Sequence, residues 1–143
     1  MKILKPFFVV VFVLIIGQIN AQEYYLKTEE FPAEITSFVK KHFPNSDIIS
    51  IKKEEKRKVE YEVKLRNMEE LEFDGDLNLK SMESKSGLPD SVIPEKIRAY
   101  VAKNYPGRKI EEWKKKRKGQ EIELDNDLEI LFDFDGNFIK IDD

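Results

Sequence analysis

One pattern is written twice along this chain. Phe31-Pro32, Ile35, Phe38, Val39, Phe43-Pro44, the run Glu62 to Asn67 and Phe73-Asp74-Gly75-Asp76-Leu77 make the first copy. Ile93-Pro94, Ile97, Tyr100, Val101, Tyr105-Pro106, the run Glu121 to Asn126 and Phe132-Asp133-Phe134-Asp135-Gly136-Asn137-Phe138 make the second. Pro32 and Pro94 are 62 positions apart, Glu62 and Glu121 are 59 apart, and Gly75 and Gly136 are 61 apart. A loss of three residues and a gain of two, both in hairpin loops, account for the drift. The fold therefore has to be assembled from two copies of one unit of about 55 residues, too small to bury a secure core alone.

Within a unit the apolar spacing changes period. Ile35, Phe38, Val39 and Phe43 occupy one face of a helix, opened by Pro32, whose missing N–H costs nothing there, and ended near Pro44. Pro94 to Pro106 repeat that logic. Beyond each helix the period becomes two: Val59, Tyr61, Val63 and Leu65 alternate with Glu60, Glu62, Lys64 and Arg66, and Leu128, Ile130, Phe132 and Phe134 alternate with Glu129, Leu131 and Asp133. Arg66-Asn67, Asp74-Gly75, Asp125-Asn126 and Asp135-Gly136 mark tight turns. These features predict an α+β fold: two tandem helix-plus-antiparallel-meander repeats, with three or four strands each, joined into one continuous antiparallel sheet with both helices on one face.

The expected organisation is a signal peptide over 1–21, a leader over 22–30, a first repeat over 31–82, a linker over 83–92 carrying Gly87 and Pro89, and a second repeat over 93–143. Lys2 and Lys5, the apolar run Phe7 to Ile16 and the small residue Ala21 have the order of a secretory signal, and that run is short of the roughly 20 residues needed to cross a bilayer. Cleavage near Ala21 leaves 122 residues without a transmembrane anchor, placed in the periplasm or outside the cell. The chain has no cysteine, which removes disulfides and lipid attachment at a cysteine behind the signal. Loss of Lys2 and Lys5 takes the formal charge from −3 to −5, the wrong sign for a nucleic-acid binder.

The ordered set of a Pro-started helix ending in aromatic-Pro, a Glu-aliphatic-x-Leu-x-Asn strand and turn, and a Phe-Asp element before glycine resembles the PepSY-like, "putative β-lactamase-inhibitor-like" proteins secreted by Bacteroidetes. The resemblance covers nearly the whole mature chain. It implies a tandem helix-plus-sheet architecture like that of secreted β-lactamase inhibitors, and transfers no activity. The chain departs from the pattern at Met68 and Asp127, which stand where that family often has the glycine of an Asn-Gly turn, and at Leu77 and Phe138, where it often has tryptophan.

Chemistry is sparse. His42 is the sole histidine, at a helix end where the second copy has Asn104, so it reads as a surface residue rather than as the base of a nucleophilic dyad. One imidazole makes a poor zinc site. Asp133-Phe134-Asp135-Gly136-Asn137 has the alternating oxygens of a calcium loop, but its glycine is misplaced and no closing glutamate follows, so it reads as a hairpin turn. Glu121 and Glu123 alternate onto the solvated sheet face, and general acid or base work is not expected of them. Neither a catalytic residue, a metal nor a cofactor is predicted.

What remains is binding. Lys114, Lys115, Lys116, Arg117 and Lys118 follow the sole tryptophan, Trp113, and match Lys52-Lys53 and Lys56-Arg57-Lys58 on the first hairpin of the other repeat. Trp113 is expected to pack at the sheet edge. With Glu62, Lys64, Glu121 and Glu123 on the charged face, these residues predict a non-enzymatic periplasmic or secreted module that contacts another envelope protein as an inhibitor or modulator. The alternative is a ligand-binding or scaffolding protein that recognises polyanionic cell-surface components through its basic hairpin tips.

Overall fold

The computed structural model describes residues 22–142; the signal peptide expected over 1–21 lies outside the described residues. Among the described residues nine strands form one antiparallel sheet in simple chain order. They are β1 (Gln22–Tyr25), β2 (Ile48–Glu55), β3 (Val59–Leu65), β4 (Glu70–Asp74), β5 (Leu79–Glu83), β6 (Ile110–Lys116), β7 (Gly119–Leu124), β8 (Glu129–Phe132) and β9 (Phe138–Asp142). Helix α1 (Ala33–His42) lies between β1 and β2, and α2 (Glu95–Asn104) between β5 and β6. Pro32 and Pro94 sit at the N-caps, and the N–H groups of Phe43 and Tyr105 close the last turns onto the carbonyls of Val39 and Val101.

The expected architecture is present, with both helices on one face. Ile35, Val39, Ile97 and Val101 join one buried cluster with the inward residues of the sheet. Cross-strand register aligns Ile51, Val63, Leu71, Met82, Trp113, Ile122, Ile130 and Ile141 into a single apolar row over eight strands. A row shared by both halves is why neither half needs a core of its own. The repeat extends to aromatic contacts: Phe38 meets Phe73 edge-on at 5.6 Å, and Tyr100 meets Phe132 edge-on at 5.3 Å. Bulges recur as well, between Ile48 and Ser50 and between Ile110 and Glu112, then at Glu72/Phe73 and at Leu131/Phe132.

Four sequence expectations are revised. Residues 22–25, read as part of a leader, form β1 on β2, with Tyr24 opposite Lys53 and Tyr25 opposite Lys52, followed by a 3-10 turn at Thr28–Glu30. β5 meets β6 in the same way ahead of the 3-10 turn Asp90–Val92 and α2, so β5 closes the first unit and opens the second. The offset between copies stays at 59 through the last turn, because Asp74 and Asp133 hold equivalent loops: Asp74 N–H donates to the Asn78 carbonyl and Asp133 N–H to that of Asn137, both at 2.9 Å. Gly136 therefore matches Leu77, not Gly75, and Phe138 matches Leu79. Phe134 is an exposed turn residue rather than the end of a strand.

Among the described residues three that are not glycine adopt positive φ: Met68 at 65°, Leu77 at 64° and Asp127 at 63°. Met68 and Asp127 occupy equivalent turns, and Gly136, with φ of 81°, is the counterpart of Leu77. Gly75 serves another purpose, since a Cβ there would lie 3.0 Å from that of Val59.

Candidate functional site

The helices cover one side of the sheet and leave the other open. Register fixes the rows of that open face. A central row runs Tyr25, Lys52, Glu62, Glu72, Ser81, Lys114, Glu121, Leu131 and Lys140. Beside it runs a second: Ser50, Lys64, Glu70, Glu83, Glu112, Glu123, Glu129 and Asp142. In this second row six carboxylates stand directly opposite one another across five successive pairings. Like charges so placed are destabilising.

Lysines offset part of that cost. Lys64 reaches Glu70 at 3.3 Å, Lys85 reaches Glu83 at 3.2 Å, and Lys114 reaches Glu112 at 2.7 Å. Among the described residues no lysine forms such a pair with Glu123. Desolvation, then the facing Glu112, raises its carboxyl above the ordinary range, while hydrogen bonding to Glu112 lifts the Lys114 ammonium upward. At the other end of the sheet Lys52 lies 2.8 Å from Glu62 and 2.9 Å from Glu54, and hydrogen bonds from Lys56 and Lys52 hold Glu54 down to about 2.

The residues singled out from sequence are divided between the two faces. Glu62, Lys64, Lys114, Lys116, Glu121 and Glu123 share the open face, as alternation predicts. Lys115 falls opposite Gln120, on the helix side of the sheet as Trp113 does but in the next row, and Arg117 and Lys118 form the exposed tip of the β6–β7 hairpin. Trp113 packs against the core, but on a central strand between β5 and β7 rather than at an edge, and its Nε1 donates to Gln120 Oε1 at 2.8 Å. Glu121, expected to be solvated, is only 6% exposed and bridged by Lys116 at 2.9 Å.

Sequence reasoning missed Glu70, Glu83, Glu112, Glu129 and Asp142. Alternation marks each as outward, but only register lines them up. It also missed a convergence at the β9 end, where one carboxylate oxygen from each of Glu121, Glu129 and Asp142 lies within 4.8 Å of the others. Lys116 and Lys140 supply ammonium groups to Glu121 and Asp142.

His42 Nδ1 lies 2.9 Å from Ser91 Oγ, and the ring leans on Phe38 at 4.6 Å. Burial, then Lys41, lowers its pKa. The contact ties the end of α1 to the segment before α2. The Asp133 loop is held by its own carboxylate, which accepts from the Asn137 backbone N–H at 2.8 Å and side-chain amide at 2.9 Å, the hairpin arrangement expected of it. Among the described residues no helix is long and apolar enough to cross a membrane.

The family model described as "Putative beta-lactamase-inhibitor-like, PepSY-like" matches the chain twice, over residues 17–81 and 60–140. A Bacteroides vulgatus crystal structure, described as a "putative periplasmic protein of unknown function", superposes with a TM-score of 0.79 at 30% identity, covering 85% of this chain and 100% of that one. A Bacteroides thetaiotaomicron structure, described as a "putative calcium-regulated periplasmic protein", gives 0.78 at 31% identity over 85% and 97%. Comparison with curated proteins finds no match.

Proposed function

Because this chain belongs to the PepSY-like family, we propose that it is a non-enzymatic periplasmic binding module whose open sheet face holds a basic surface of another envelope protein, as its inhibitor or modulator. The carboxylate row from Glu70 to Asp142 carries this reading. Five facing like-charge pairs oppose folding, and features that work against stability mark surfaces kept for another purpose. A cationic partner would offset that repulsion on docking. Periplasmic relatives and a signal-like start favour the compartment.

The test is capture from the periplasm of the source organism with tagged wild type and with Glu112→Gln/Glu123→Gln/Glu129→Gln. Wild type is expected to retain a stoichiometric basic partner, released in about 1 M salt, where the screening length is about 3 Å. Equal capture by the neutralised variant would remove the proposal. The polyanion alternative draws less support, since Lys114 and Lys116 are engaged by Glu112 and Glu121 and Lys115 faces the helix side.

A second reading has its own observation. The convergence of Glu121, Glu129 and Asp142 offers three hard oxygen ligands, the type that calcium takes, and a similar protein is described as calcium-regulated. Calcium would have to displace the Lys116 and Lys140 ammonium groups. Calorimetric titration with calcium chloride decides it: heat lost in Glu129→Gln supports the site, and no heat in wild type ends the reading.

A further inference from the structure

We infer that β9 pairs edge to edge with β9 of a second copy of this chain, about a twofold axis at Ile141. β9 borders β8 on one side only, so its outer backbone groups are open to another strand. On that border Ile141 is an exposed apolar side chain, at 39%. An exposed apolar side chain on an unpaired strand border is a place where another strand can add.

Side-chain parity selects the occupant and the register. A twofold perpendicular to the sheet keeps the helices of both copies on the same side, so directly opposed residues must share a face. Ile141 belongs to the helix-side row through Ile130, whereas Lys140 and Asp142 belong to the open face through Leu131 and Glu129. Centring the axis on Lys140 would set lysine against lysine, and centring it on Asp142 would set acid against acid. Centring it on Ile141 sets Ile141 against itself and brings each Lys140, which already bridges Asp142 of its own chain, opposite the partner's Asp142, so that the four charges alternate in sign about the axis. This register is charge-complementary and carries the apolar row into the second copy. β9 is short and its pairing with β8 is bulged opposite Leu131/Phe132, which makes the association reversible rather than obligate.

Sedimentation equilibrium of the purified protein from about 1 μM to about 1 mM tests the pairing. A monomer–dimer equilibrium is expected. Lys140→Asp should weaken it roughly tenfold, and Lys140→Asp/Asp142→Lys should restore it, because two cross-strand pairs reverse together. Ile141→Lys should abolish it, with far-UV circular dichroism reporting intact folding in each case. A monomer throughout the range overturns the inference. So does a dimer indifferent to Lys140→Asp, or open-ended growth with concentration, which would signify head-to-tail pairing of β9 with β1.

Discussion

Trp113 and Gln120 are bound side chain to side chain across the β6–β7 pair, the indole N–H donating at 2.8 Å, while the Gln120 amide donates to the Asp133 carbonyl at 3.0 Å. One buried glutamine thus fixes the sole tryptophan and the chain just after β8. Gln120→Met keeps the volume and removes both bonds, leaving the indole N–H and a carbonyl without partners. A loss of about 1–3 kcal/mol is expected. Urea denaturation followed by Trp113 fluorescence measures it.

Met68 holds a φ of 65° while its side chain is 85% exposed, so burial of that side chain does not offset the conformational penalty, and the turn bond from its N–H to the Leu65 carbonyl is one that glycine would keep. Met68→Gly should stabilise the protein by about 0.5–1 kcal/mol, the left-handed cost less the entropy glycine carries in the unfolded chain. Leu77→Gly should gain less or lose, because Leu77 also packs against the core. Calorimetric melting of the two variants separates the cases.

Gly119 is required by close approach rather than by φ. A Cβ at this position would lie 2.1 Å from the Phe132 carbonyl oxygen, which belongs to the neighbouring strand and cannot move without disturbing β7–β8 pairing. Gly119→Ala should cost about 2–4 kcal/mol. A thermal midpoint close to that of wild type would contradict this.

Glu123 gives a pH-dependent prediction. Its folded pKa lies above the ordinary value of 4.5, through desolvation and then Glu112, so ionisation is harder in the folded protein than in the unfolded chain. The penalty is absent below the unfolded value, grows as pH rises through it, and is complete above the folded value. Glu123→Gln should therefore be more stable than wild type by about 0.5–1 kcal/mol at neutral pH, with the gain vanishing below about pH 4. Denaturant midpoints of both proteins across pH 3.5 to 7 check the sign.

The sequence carried the helices, because Pro32, Pro44, Pro94 and Pro106 bracket an apolar face on their own. It carried β3 and β8 through alternation, although the pattern ran on past the end of β8 to Phe134. β1 was hidden: Gln22–Tyr25 has no alternation to read, and its strand character comes from Lys52 and Lys53 on a distant segment. Gly75 misled the alignment of the copies, since a glycine beside aspartate suggests positive φ, whereas the left-handed residue lies two positions on, at Leu77. The candidate site was legible one strand at a time. Glu62 and Glu121 were placed on the correct face, yet the carboxylate row depends on register across five pairings, and the burial of Glu121 on Lys116 closing over it.

A strand with two owners makes the molecule indivisible but extensible. Severing the chain on either side of Leu79–Glu83 would deprive one fragment of a bordering neighbour, so excised halves should be poor stand-ins for the whole. Lengthening is another matter: a third unit spliced after Phe138–Asp142 would inherit β9 as its opening member, just as the second inherits β5, and the number of bare borders would remain two.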